Sequence, residues 1–325
     1  MTLSYSMRLL CVLTVVAGLT LAASQTILSL AARWLLRCLD RTTARWRERI
    51  VYLIQIGPAV LAMFVTVAVS LPAYLHGETN LASENVSLLC PFAAGVVFLW
   101  FGFAVSRGLW ITAQTVRYAR DCRRVGRILP CASEIPVLLL PDPGPPLRLI
   151  GFFRPVILIS SKFTSAMQGA LDLALAHERS HANQLDNWKL LTLSFLPRIQ
   201  QLLPGGDPWM QPWRTAADWA ADDDAVQGDG HRSLHLAQAL VIAARTTDPA
   251  SRAHANCVCT ALTVADVGLA ARVDRLLHPR QSRPFANSHL LFSIAAIAVF
   301  AALAICTLSP WIYTVSECLL HLGTT

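Results

Sequence analysis

Apolar positions along this chain gather into three long blocks near the N-terminus and one near the C-terminus, with a mixed stretch between. A helix needs about 20 mostly apolar residues to cross the hydrocarbon core of a bilayer. Four segments meet that need: Leu9 to Ala32 (residues 1–32 with its lead), Val51 to Leu75, Val86 to Val105, and Leu290 to Tyr313. Pro58 is placed to bend the second.

The mixed stretch changes period. Ile135 to Asp142 is a short apolar run broken by proline, and PDPGPP is a turn cluster. Leu147 to Ser160 reads as two short strands divided near Arg154-Pro155. From Met167 one long helical pattern runs on until Pro197. Trp209 to Val226, Ser233 to Arg245 and Ala270 to Leu277 give three further helices, and a Pro/Arg-rich hinge leads to the last span. The expected fold is an α-helical integral membrane protein with four transmembrane helices and an inserted α+β domain over residues 106–287. A short extracytoplasmic tail, 314–325, follows the last span.

Composition agrees with this division. The chain has 325 residues, 54% of them apolar and only 14% charged, against about 25% charged in a soluble domain. That argues against disorder and against an ordinary cytosolic enzyme. The arginines are also uneven. Arg33, Arg37, Arg41, Arg45, Arg47 and Arg49 fill the first loop, and Arg107, Arg117, Arg120, Arg123, Arg124 and Arg127 follow the third span. The loop HGETNLASEN and the tail SECLLHLGTT have no Lys or Arg. Cationic residues mark the cytoplasmic side of short loops. The expected topology is therefore multi-pass in the inner (cytoplasmic) membrane, with both termini outside and the central domain in the cytoplasm. The net charge of +7 is largely this bias, together with attraction to anionic membrane lipid, and no direct nucleic-acid binding is expected.

Arg8 and Ala22-Ala23-Ser24 imitate a cleaved signal peptide. The apolar run continues past Ser24, however, and cleavage would put six arginines outside, so a retained span is expected. The sequon Asn85-Val86-Ser87 sits at the membrane edge. Nine scattered cysteines give no disulfide framework, and Cys257-Val258-Cys259 is a weak metal signal without a second pair.

The chemistry is concentrated in His177-Glu178-Arg179-Ser180-His181, an HExxH within the long helix. Residues four apart lie on one helical face, about 6 Å along the axis. Both imidazoles therefore reach one zinc ion, with Glu178 beside them as base rather than ligand. A zinc hydrolase needs a third protein ligand and one open position. In AADWAADDDAV the candidate is Asp218, with Asp222 one turn on to accept the far N–H of a ligating histidine. Asp223 and Asp224 compete for these roles, and read otherwise as a solvated acidic turn. His231 and His235 share the i, i+4 spacing without the Glu and read as surface or packing residues, or as an oxyanion donor. Asp186 and Asn187 either pin the helix end near the site or belong to its outer surface.

GFFRPVILIS before the helix, HERSHANQLDN within it and DWAADDDAV after it resemble successive signatures of the BlaR and MecR type membrane metallopeptidases, the β-lactam-responsive antirepressors with gluzincin-like zinc domains. The resemblance covers essentially the whole chain. It implies zinc on His177, His181 and residue 218, Glu178 as base, Asp222 supporting a ligand, and a cytosolic substrate such as a transcriptional repressor. Two departures stand out. The family usually has Glu where Asp218, one methylene shorter, stands here. The family's penicillin-binding sensor domain follows the fourth span, where here about a dozen residues follow, so sensing through an acylated serine is not carried over.

The leading expectation is a membrane zinc metalloendopeptidase with one zinc ion, acting in signal-responsive gene regulation. Leu147 to Ser160 would offer a strand edge to an extended substrate. The alternative, prompted by Asp218, is a signalling scaffold with a structural or degenerate zinc site. A transporter is disfavoured because the spans hold almost no ionisable residues.

Overall fold

The computed structural model describes residues 4–40, 42–77, 88–131, 134–142, 145–167, 171–202, 206–246, 259–261 and 268–278. The fourth span, the hinge before it, the tail, the sequon and Cys257 lie outside the described residues. The chain is mostly helical with one small sheet, and three helical segments are long and apolar enough to cross a membrane.

The first is α1 (Tyr5–Leu39). The second is a continuous rod of α2 (Ala44–Phe64), a π-turn over Val65–Ser70 and α3 (Leu71–Gly77). The Thr43 hydroxyl caps its first turn by accepting from the Trp46 amide. The irregularity expected at Pro58 is found at the π-turn instead, about two to three turns further on. The third is α4 (Leu89–Val125). At 1.5 Å per residue α1 and α4 run about 52 and 55 Å, far more than the roughly 30 Å of hydrocarbon. The expected boundary at residue 105 therefore falls inside a helix. The arginine-bearing half of α4 runs on to Val125, with one residue between it and the start of the sheet at Arg127.

Leu30, Phe92, Phe98 and Leu99 stand exposed on these helices, as suits lipid contact. Between them Gly18 meets Val97 so closely that an added Cβ would lie 2.5 Å from a Val97 methyl. Small residues allow such close backbone approach in membrane helices.

Beyond α4 the chain forms β1 (Arg127–Ile128), β2 (Val137–Leu140), β3 (Leu147–Ile150), β4 (Val156–Ser160) and, much later, β5 (Cys259–Ala261). Their order is β1-β2-β4-β3-β5; β2 and β4 are parallel and the other pairs antiparallel. Side chains alternate across a strand, and both faces here are apolar. Val137, Leu149, Ile157 and Ile159 pack with the helices of the domain. Leu138, Leu140, Val156 and Leu158 pack against Cys122 and Tyr118 of α4. The two strands expected in 147–160 are present, but they offer no open edge. β4 lies between β2 and β3, and β5 covers β3. A strand buried on both faces reads as a continuous apolar run, and such a run carries no mark of which edges are taken.

The helices of the domain are α5 (Ser161–Ala166), α6 (Leu171–Asn183), α7 (Asp186–Phe195), α8 (Met210–Val226), α9 (Gly230–Thr246) and α10 (Leu269–Leu277), with a 3-10 turn at Ile199–Leu202. The single helix expected from Met167 to Pro197 is broken at Leu185, which takes the left-handed conformation at φ 57. One further cluster joins the two halves of the molecule. Ala32 and Leu39 of α1, Ile50 and Val51 of α2, Leu190 and Leu191 of α7, and Trp209 and Trp213 at the start of α8 bury one another.

Candidate metal centre

Three buried or half-buried side chains converge where α6 packs on α8. His177 and His181 lie one turn apart on α6, and their Nε2 atoms are 3.1 Å apart. Asp218 of α8 brings Oδ1 to 3.5 Å from His181 Nε2. One ligand atom from each of the three lies within 4.8 Å of the others. Tetrahedral zinc with bonds of about 2.0–2.1 Å sets ligand atoms roughly 3.3 Å apart, so two of these separations already match. This His-His-Asp set is the one group of its kind among the described residues.

The far side of each imidazole faces a carboxylate. His181 Nδ1–H donates to Asp186 Oδ2 at 2.7 Å, and His177 Nδ1 lies 3.0 Å from Asp222 Oδ1. A carboxylate only accepts, so Asp186 holds a proton on His181 Nδ1 and turns its Nε2 toward the shared point; Asp222 lies close to His177 Nδ1 but out of line for a hydrogen bond of good geometry. Asp222 is in turn gripped in a fork by Arg272 of α10, Nε to Oδ2 at 2.9 Å and Nη2 to Oδ1 at 2.7 Å. Arg272 Nη1 also lies 3.8 Å from Asp218 Oδ2.

The break at Leu185 makes the Asp186 contact possible. In an unbroken helix, residues five apart point about 140° away from each other. The left-handed residue turns α7 so that Asp186 faces His181. Asn187, beside it, donates to the carbonyls of Gly151 at 2.8 Å and Leu149 at 3.4 Å, pinning α7 to the end of β3. Both residues are buried, which decides between the two readings of this pair.

Electrostatics divides the groups. Burial lowers His177 to about 4, leaving the neutral imidazole that a metal requires. Burial also works against charge on His181, but the hydrogen bond and charge of Asp186 outweigh it and lift the ring to about 9. That corner favours a cation, whether a proton or a metal. Asp222 is held far below the usual carboxylate range: burial opposes this, but Arg272 and His177 prevail. Burial raises Asp218. Burial also pushes Glu178 up to about 7, the range in which a general base works best. Both Glu178 oxygens are buried without a hydrogen bond of good geometry, the Leu149 backbone lying near enough only to draw the group down a little. An orphaned buried carboxylate is costly, so a water or ion beside it would satisfy it.

The competing acids are occupied elsewhere. Asp223 pairs with Arg275 at 2.7 Å. Asp224 accepts from Ser180 at 2.6 Å and pairs with Arg45 of α2. His231 and His235 are exposed on α9. The sequence pattern did not reveal the roles of Arg272, Lys189 or Glu48. Each is a charge whose burial emerges only once the helices are packed.

No family model matches the chain, and no curated protein matches it.

Proposed function

We propose that the chain is an integral-membrane zinc metalloendopeptidase of gluzincin-like type, with its site in the cytoplasm. Its substrate would be a cytosolic regulatory protein of the repressor class, as in the BlaR and MecR type antirepressors it resembles. The observation that carries the proposal is the meeting of His177, His181 and Asp218 within 4.8 Å, beside a fully buried Glu178. The two histidines and Asp218 would hold one zinc ion. When bound, zinc supplies a Lewis acid for the scissile carbonyl and acidifies water toward neutrality. Glu178 accepts the proton of the attacking water and delivers it to the leaving amine. Asp186 keeps the His181 imidazole in the ligating tautomer, and Asp222 stands beside His177. The arginine-rich first loop and the arginines of α4 support a cytoplasmic domain, by the positive-inside rule.

The second reading is a signalling scaffold with a degenerate site. On its side stands Arg272, whose guanidinium 3.8 Å from Asp218 repels a metal cation. Proteomic comparison of cells expressing the wild type and Glu178→Gln separates the two. The peptidase reading expects a cytosolic regulatory protein cut only by the wild type, with zinc retained in the variant. Full cleavage by Glu178→Gln would refute the role of that residue, and no difference between zinc-loaded chains supports the scaffold.

A further inference from the structure

Glu48 lies in the first turns of α2, among the arginines that mark the membrane boundary, yet it is fully buried. A carboxylate in that position costs several kcal/mol unless paired. Its Oε1 accepts from Lys189 Nζ at 2.9 Å and from Trp213 Nε1 at 3.1 Å. Lys189 does not end there. The same ammonium donates to Asp186 Oδ1 at 2.8 Å, and the other oxygen of Asp186 takes the Nδ1 proton of His181 at 2.7 Å. Four side chains thus form an unbroken run of charge-assisted contacts from the membrane helix to a candidate metal ligand.

We infer that Glu48 is a positioning residue for the metal centre: through Lys189 and Asp186 it sets the orientation of His181, and so ties metal affinity to the placement of α2. This rests on the functional reading above. Charge-assisted hydrogen bonds are short and directional. Lys189 alone, an ammonium on a flexible four-carbon stem, would not fix Asp186; clamped between two carboxylates, it does. The apolar cluster of α1, α2, α7 and α8 holds the ends of this path at a set distance. Any event that shifts α2 at the membrane is then transmitted to His181. His177 is reached differently: its neighbours Asp222 and Arg272 lie on α8 and α10, and α8 meets α2 through packing and through Arg45–Asp224 rather than through a relay of charged side chains ending on the ring.

The test uses the full chain in detergent or nanodiscs with cobalt(II) alone as probe. Cobalt affinity is measured by chelator competition and ligand geometry by the visible spectrum, in the wild type, Glu48→Gln and Asp40→Asn. Replacing an outer partner of a metal ligand costs about 10–100-fold in affinity. Glu48→Gln, one contact further out, should weaken cobalt binding about 10-fold and shift its spectrum at unchanged helix content. Asp40→Asn removes the neighbouring Arg47 pair at 2.7 Å and should match the wild type. If Glu48→Gln folds poorly, the charge-balanced Glu48→Gln/Lys189→Gln pair decides, with the same loss expected because both residues lie on one path. A wild type that binds one cobalt ion, with variants of equal affinity and spectrum, overturns this inference alone. A wild type that binds none overturns the functional reading and this inference together.

Discussion

His177 and His181 stand one turn apart on the same helix, yet they are braced from different parts of the molecule. The brace of His177 is internal to the domain: Asp222 of α8, locked by the Arg272 fork from α10. The brace of His181 reaches outward through Asp186 and Lys189 to Glu48 on α2, within one of the three helical segments long and apolar enough to cross a membrane. The first joins two groups that are both almost fully buried and make direct contact. The second passes through an ammonium with partial access to solvent. Under the proposed reading, one imidazole held within the domain and one held from α2 would share one metal, and the affinity of that site would answer to the placement of α2.

The largest effect should come from breaking the internal brace. Arg272→Met leaves Asp222 buried without its counter-charge, a loss of about 3–5 kcal/mol, read as a marked fall in the melting temperature of the purified chain. Next come the two carboxylates. Asp222→Asn and Asp186→Asn should each weaken metal binding about 10–100-fold by chelator competition, and Asp222→Asn should also lower thermal stability because it weakens the Arg272 fork. Equal stability for the two variants would erase the distinction drawn here. Close packing gives a smaller effect. A Cβ at Gly108 would lie 2.5 Å from the Phe195 ring, so Gly108→Ala should cost about 1–3 kcal/mol by overpacking the α4–α7 contact. The smallest effect should be that of Arg45→Ala. Its partner Asp224 is half exposed, and such pairs contribute about 0–1 kcal/mol.

The sequence discloses the side chains that meet at the candidate centre better than it discloses what holds them there. His177, Glu178 and His181 are legible because an HExxH on a helix admits few readings, and Asp218 and Asp222 because their own spacing is one turn. The three long apolar helices, the strands of 147–160 and the helices after Trp209 are legible from hydrophobic period. Leu185 is not: a leucine in a helical pattern gives no sign of left-handed backbone, and without that break Asp186 points away from His181. Arg272 sits in ARVDRLL, which reads as an ordinary helix until α10 packs on α9 and its arginines reach across to α8. Glu48 is hidden among arginines that serve topology. β5 is three residues long, and nothing in CTA foretells that it seals the edge of β3.

The central claim is that two imidazoles of α6 and one carboxylate of α8 hold a single metal ion. Elemental analysis of the full chain, purified in detergent after exposure to stoichiometric zinc, tests it most directly. The account predicts one zinc per wild-type chain and almost none in His177→Ala/His181→Ala, with Asp218→Ala intermediate or empty. A wild type free of zinc, or a double variant that keeps a full equivalent, would contradict it.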